Sequence, residues 1–313
     1  MDPRDVLVLT AEDVGALLEP APLLAALAAA FAGPATAPPR TELGLPDGRG
    51  LLVMPGHRPG GPVIVKHVGL VGDNAARGLP HHPAVICAFD VETGMLRALI
   101  EATALTAVRT AATAALSVDL AARPDARVAA VIGAGPVAAA QLALPPAVRD
   151  LDELRIASRR PAAAAALAAA HGARAVVDVA DAVRGAGIVC LCTSAADPVV
   201  APGWLAPGTH VSSVGFAPPG GELDPALARA GRLLVETRDA FAPPPAGCAE
   251  LAGLDPAAAA ELGEVIRGER VARVSAGELT VFKSMGSVVE DLAAAEVVIE
   301  RAEQLGAGQR IRL

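Results

Sequence analysis

The chain has 313 residues, enough for two domains of ordinary size, each able to bury its own core. A net charge of −8 argues against nucleic acid or an anionic membrane surface as partner, and the 53% hydrophobic content comes from alanine rather than from long apolar runs. No stretch reaches the roughly 20 apolar residues of a membrane span, so no membrane is expected.

The opening residues Asp2, Arg4 and Asp5, ahead of only a brief apolar stretch, are not the pattern of a signal peptide. Residues 6–9 read as a short strand and Ala11 to Phe31 as one helix with Ala-Leu spacing. Ala35 to Pro39 is a proline-rich link ending at Arg40. Strands are expected at Gly50 to Pro55, Gly61 to Gly69 and Ala84 to Asp90. Another, Met95 to Glu101, follows the turn signal Glu92-Thr93-Gly94. This opening is an α+β pattern with several antiparallel strands. Thr103 to Ala122 is helical and closes at Arg123-Pro124-Asp125.

From Val128 strands and helices alternate, as a doubly wound parallel sheet requires. Strands are expected at Val128 to Ile132, Leu154 to Ala157, Ala175 to Val177, Gly187 to Thr193, His210 to Val214, Leu233 to Glu236 and Leu279 to Phe282. The helices are Ala162 to His171, Asp181 to Gly185, Asp224 to Ala230 and a long one from Ser287 to Leu305. Phe241 to Gly247 is a proline-rich loop, and Pro145-Pro146 should end the first helix of this part early.

Within it, Val128 to Ala138 reads V-A-A-V-I-G-A-G-P-V-A. Val128 to Ile132 is an uncharged, β-rich run, the pattern of a strand buried on both faces. Gly133 and Gly135 supply the tight turn and the close backbone approach that a pyrophosphate needs, and Ala138 is the small third residue of G-x-G-x-x-G/A. The next strand ends in Ser158-Arg159-Arg160, where an NAD-binding unit usually carries an acid for the ribose hydroxyls. A hydroxyl and two cations suit a 2′-phosphate, so the expected cofactor is NADPH, with NADH possible. A glycine turn beside two solvated arginines is the plain alternative.

The four cysteines (Cys87, Cys190, Cys192 and Cys248) have neither metal-ligand nor redox spacing. No metal is expected, and a reducing cytoplasm is the expected compartment. Arginine outnumbers lysine 24 to 2, the two lysines being Lys66 and Lys283, and Asn74 is the one asparagine. Where arginine has taken nearly every cationic position, a lysine that persists points to a need for a compact ammonium with a titratable proton.

Several motifs in order resemble the ornithine cyclodeaminase/μ-crystallin family over nearly the whole chain. They are P-x-R-T at Pro38 to Thr41, L-L-V-M-P at Leu51 to Pro55, Val65-Lys66, Asn74 with G-L-P at Gly78 to Pro80, and F-D-V-E-T-G at Phe89 to Gly94. T-A-L-T-A-V-R-T-A-A at Thr103 to Ala112, the glycine motif, A-S-R at Ala157 to Arg159, E-L-D-P at Glu222 to Pro225, E-L-G-E-V at Glu261 to Val265 and T-V-F-K-S-M-G at Thr280 to Gly286 complete the series. The resemblance implies a substrate and dimerisation domain made of residues 1–118 with 287–313, and a Rossmann nucleotide domain of residues 119–286. It implies a homodimer, and a small imino or amino acid as substrate. Arg40, Lys66 and Arg109 would surround the substrate carboxylate, with Met54 beside them and Lys66 and Arg109 as the catalytic pair. The cofactor would lie along Thr110, Gly133, Ala134, Gly135, Pro136, Val137, Ser158, Arg159, Arg160, Thr193, Ser194, Val214, Gly215, Lys283 and Gly286.

One departure bears on the reaction. Cyclodeaminases carry G-A-D after the strand corresponding to His210 to Val214, and that aspartate handles the substrate amino groups. Here the loop reads Val214-Gly215-Phe216-Ala217-Pro218-Pro219-Gly220-Gly221, with no acid before Glu222. A cyclodeaminase needs a base for its several proton transfers, whereas reduction of a preformed imine needs a carboxylate clamp, a nicotinamide and one proton. The first expectation is therefore an NAD(P)H-dependent reductase of a small cyclic imino acid. An amino acid dehydrogenase or N-alkyl amino acid synthase, an ornithine cyclodeaminase with Glu222 as base, and a silent NADP(H)-binding protein are the alternatives.

Overall fold

The structure, a computed structural model of one chain, describes residues 4–244 and 246–313. Contacts divide the chain into two compact units: the chain up to Arg109 together with Ser287–Leu313, and Thr110–Gly286. The division falls after Arg109, inside a helix, rather than after residue 118.

The first unit opens with β1 (Asp5–Leu9), α1 (Ala11–Leu17) and α2 (Pro20–Ala32). One helix was expected over Ala11 to Phe31; there are two, bent by 87°. Pro20 sits at the first helical turn of α2, where its missing N–H costs nothing, and it prevents α1 from continuing. No single helix among the described residues is long and apolar enough to cross a membrane. Then come β2 (Thr41–Gly44), β3 (Gly50–His57), β4 (Val63–Leu70), β5 (Ala84–Phe89), β6 (Leu96–Glu101) and α3 (Ala102–Ala121), in which the division falls.

The second unit contains β7 (Val128–Ile132), α4 (Pro136–Ala143), α5 (Pro145–Val148), β8 (Glu153–Ala157), α6 (Pro161–His171), β9 (Arg174–Ala175), α7 (Val179–Val183), β10 (Ile188–Leu191), β11 (His210–Ser213), α8 (Pro225–Ala230), β12 (Arg232–Val235), β13 (Ala260–Glu261), α9 (Leu262–Ile266) and β14 (Thr280–Lys283). Pro145-Pro146 ends α4 and starts α5, so the proline pair divides the helix in two. The eight strands lie in the order β13-β12-β14-β11-β10-β7-β8-β9, and the pairs are parallel. After β9 the chain crosses back to lay β10 on the other side of β7, which puts the topological switch point at the end of β7. His210 is a packing residue. Its ring nitrogens lie 3.1 Å from Ser117 Oγ and 2.9 Å from Thr280 Oγ1, and burial pushes its pKa down to about 3.

The chain returns to the first unit as α10 (Val288–Leu305) and β15 (Gln309–Arg312). The first sheet has the order β15-β1-β6-β5-β4-β3-β2. Alternation puts Ile64 and Lys66, Ile86 and Ala88, and Ala98 and Ile100 on its buried face. α10 packs on that face beside α2. The approach needs Gly56, since a Cβ there would stand 2.8 Å from Val288 Cγ2.

Candidate active site

In the first unit the register sets one row of side chains across the buried face, Met54 opposite Lys66 and Lys66 opposite Ile86. Arg40 is half-buried at the end of the proline-rich link, one residue before Thr41, whose partner is Val53. The row therefore begins near Arg40 and runs through Met54 to Lys66. Lys66 is 1% exposed, a cost no lysine bears without a counter-charge. The counter-charge comes from the first turn of α10. Lys66 Nζ donates to Asp291 Oδ1 at 2.7 Å, and Arg109 Nε donates to the same oxygen at 3.0 Å. Arg109 Nη1 also donates to Glu290 Oε2. Both carboxylates are fully buried. Two cations and two anions thus make a buried quartet of zero net charge. Desolvation, with neighbouring Arg109 adding to it, lowers the pKa of Lys66 to about 8 against the pull of Asp291 and Glu290.

Glu290 and Asp291 were not expected. Ser287 and Glu290 form a capping box, which the sequence S-V-V-E shows, but burial of the acids against Lys66 and Arg109 depends on pairing across more than half the chain.

In the second unit the glycine turn follows β7 at the switch point. Gly133 has φ +140°, and a Cβ there would fall 2.5 Å from the carbonyl oxygen of Cys192, so the position takes only glycine. Gly135 caps α4, with nothing within 4 Å of where its Cβ would stand, and Pro136 and Val137 begin the helix. The turn is thus closed on the strand side and open over the helix start, the shape that accepts a pyrophosphate. Arg160 crosses to the turn and donates to the carbonyl of Ala134 at 2.9 Å, while its backbone N–H bonds Ser158 Oγ at 3.2 Å. Arg159 is exposed and has no hydrogen-bond or ion-pair partner among the described residues.

At the next strand ends one carboxylate organises the backbone. Glu222, buried, accepts from Thr193 N (2.6 Å), Ser213 Oγ (3.0 Å), Val214 N (3.1 Å) and Gly215 N (2.6 Å). Its oxygens are occupied with holding these segments together, so it does not offer the base a cyclodeaminase would need. Gly215 has room only for hydrogen, a Cβ lying 2.3 Å from the Thr193 carbonyl. Ser194 stays exposed beside it. Lys283 is fully buried: Nζ lies 2.9 Å from Glu250 Oε1 and donates to Gly215 O at 2.7 Å and Ser213 Oγ at 3.2 Å. Its charge is answered inside the unit. Gly286 N donates to buried Glu236 at 3.3 Å, and Thr110 is buried in α3 next to Arg109. The predicted residues therefore form two groups, one around Lys66 in the first unit and one along the strand ends of the second.

A doubly wound sheet with a glycine turn at its switch point is the architecture of dinucleotide-dependent oxidoreductases. The chain belongs to the ornithine cyclodeaminase/mu-crystallin family, whose model matches residues 4–306. It is 34% identical over 287 residues to the ketimine reductase mu-crystallin of Mus musculus, covering 89% of this chain and 90% of that protein. Among solved structures it is similar to the Δ1-pyrroline-2-carboxylate reductase of Thermococcus litoralis in complex with NADH and L-proline, at 29% identity and TM-score 0.89, covering 98% of this chain and 100% of that one. An archaeal alanine dehydrogenase dimer with bound NAD matches at 28% identity and TM-score 0.88, over 99% of both chains.

Proposed function

We propose that this protein is an NAD(P)H-dependent reductase of a small cyclic imino acid of the Δ1-pyrroline-2-carboxylate or piperideine-2-carboxylate type. The observation that carries the reading is the convergence of Lys66 and Arg109 on one carboxylate oxygen, at 2.7 and 3.0 Å, in a buried site. Two cations fixed that close together can hold the α-carboxylate of a small substrate, with Arg40 as a third. A bound nicotinamide would supply the hydride, received at the imine carbon. The chain's own contribution is to fix the carboxylate and so the orientation of that carbon. Ammonia elimination is disfavoured because the loop from Val214 to Gly221 has no acid and Glu222 is saturated. The archaeal alanine dehydrogenase among the relatives favours an open-chain imine as the second reading.

The test is NADPH and NADH oxidation against a panel of cyclic imino acids and of 2-oxo acids with amines, alongside ornithine with NAD. We expect turnover of a cyclic imino acid and no ammonia from ornithine. Ammonia release would sink the reductase reading.

We also infer a preference for NADPH, from Ser158, Arg159 and Arg160 at the end of β8, and a homodimer. The face of the first sheet opposite α10 carries half-buried Leu51, Val53, Val65, Cys87 and Leu99 in adjoining strands, an apolar surface suited to a second copy. Light scattering at micromolar concentration should give twice the chain mass or a multiple of that; a monomer would count against this pairing.

A further inference from the structure

Asp291 differs from Glu222 and Glu290 in what its two oxygens do. Glu222 is saturated by four donors. Glu290 closes the start of α10, accepting from Ser287 N at 3.4 Å, and also takes Arg109. Asp291 lies outside the capping box that Ser287 and Glu290 form. Its Oδ1 takes two cations, while Oδ2, equally buried, has no partner among the described residues. A fully buried carboxylate with one oxygen shared by two cations and one oxygen unused is poorly explained by stability alone.

We propose that Asp291 is a positioning residue for the reaction: through Oδ1 it holds the Lys66 ammonium and the Arg109 guanidinium side by side, and it sets the pH at which Lys66 loses its proton and the clamp loses a charge. Two like charges this close repel, and a buried ammonium without a counter-ion gives up its proton. The charged groups around Lys66 are few. α10 presents Asp291 and Glu290, and α3 presents Arg109. The neighbours in register, Met54 and Ile86, are apolar, and α2 has no titratable side chain. Glu290 is committed to Arg109 and the helix start, which leaves Asp291 as the direct counter-ion of Lys66. The part played in the reaction rests on the reductase reading; the charge coupling does not.

With only two lysines in the chain, lysine labelled with 13C and 15N gives two side-chain signals, and Lys66→Arg identifies which is Lys66. Burial should make the Lys66 signal of the wild type titrate near pH 8. In Asp291→Asn, which keeps the shape and removes the charge, the midpoint should fall by at least about one pH unit, a tenfold loss in proton affinity. The alkaline limb of kcat/KM for imino acid reduction should move down by the same interval. A Lys66 midpoint that stays where it is in folded Asp291→Asn overturns the proposal, whatever the activity. If that variant does not fold, Asp291→Ser, smaller and equally uncharged, carries the same expectation and the same refutation. A shifted lysine midpoint in a protein that reduces no imine would support the coupling and overturn the reductase reading instead.

Discussion

Lys66→Met is expected to lower kcat/KM for imino acid reduction by about thirtyfold or more, and Arg109→Met by at least as much. Methionine fills a similar volume, so the change removes a charge rather than the packing against Met54 and Ile86. A charge-assisted hydrogen bond contributes roughly 1.5–3 kcal/mol, and each 1.36 kcal/mol is about tenfold in a rate or binding constant. The loss should exceed that of an exposed lysine because Lys66 is buried, where water does not take over its part. The substitution also leaves Asp291 with Arg109 alone. Breaking a buried ion pair by removing one partner costs roughly 3–5 kcal/mol, so the melting temperature should fall as well. Affinity for the dinucleotide, whose candidate residues other than Thr110 lie along the turn and strand ends of the second unit, should stay within about twofold by fluorescence titration, since no charge–dipole contact there is removed. A kcat/KM within threefold of the wild type, measured on folded protein, would show that Lys66 does not hold the substrate.

How far the sequence reveals this architecture depends on how local each feature is. β7 is legible to the residue, because Val128 to Ile132 is an apolar run that starts after Arg127, and the glycine turn follows with no intervening residue. The alternation of strands and helices after it marks the parallel sheet. Ala11 to Phe31 misleads because the Ala-Leu spacing continues past Leu18 and Glu19, while the proline that breaks it is also a residue that begins helices. β2 and β15 give no signal: they are edge strands whose residues are all exposed, so no period of two marks a buried face. β9 and β13, two residues each, are too short to read. In the candidate site Lys66 and Arg109 stand out through the scarcity of lysine and the motif around Arg109. Asp291 is invisible, since an acid in the first turn of a helix looks like any residue that favours the macrodipole. Its burial follows from Lys66, placed 225 residues earlier in the chain. Glu222 is misleading for the opposite reason. It is the first acid after an acid-free loop and so suggests a base, and only the four donors around it show a carboxylate used to hold backbone in place.

The second large effect is expected at the cofactor. Arg159→Ala should weaken NADPH binding by about tenfold or more while leaving NADH within about twofold, so that most of the preference disappears. Two adjacent arginines have different surroundings. Arg160 is tied to the carbonyl of Ala134 and to Ser158, so it braces the glycine turn. Its removal should weaken both cofactors together. Arg159 is exposed and makes no such bond among the described residues, so its guanidinium is available to a 2′-phosphate. A guanidinium–phosphate contact is bidentate and charge-assisted, worth roughly 1.5–3 kcal/mol, and exposure to water and salt brings it to the lower end of that range. That is about tenfold, and it acts only on the cofactor that carries the phosphate. Salt supplies an independent check: the NADPH advantage should shrink as ionic strength rises, because the contact is screened over about 10 Å at 0.1 M. Dissociation constants for NADPH and NADH measured by fluorescence in the wild type and in Arg159→Ala decide the matter. Equal constants for the two cofactors in the wild type would refute the preference, and a parallel loss of both in Arg159→Ala would mean that Arg159 supports the turn rather than reads the phosphate.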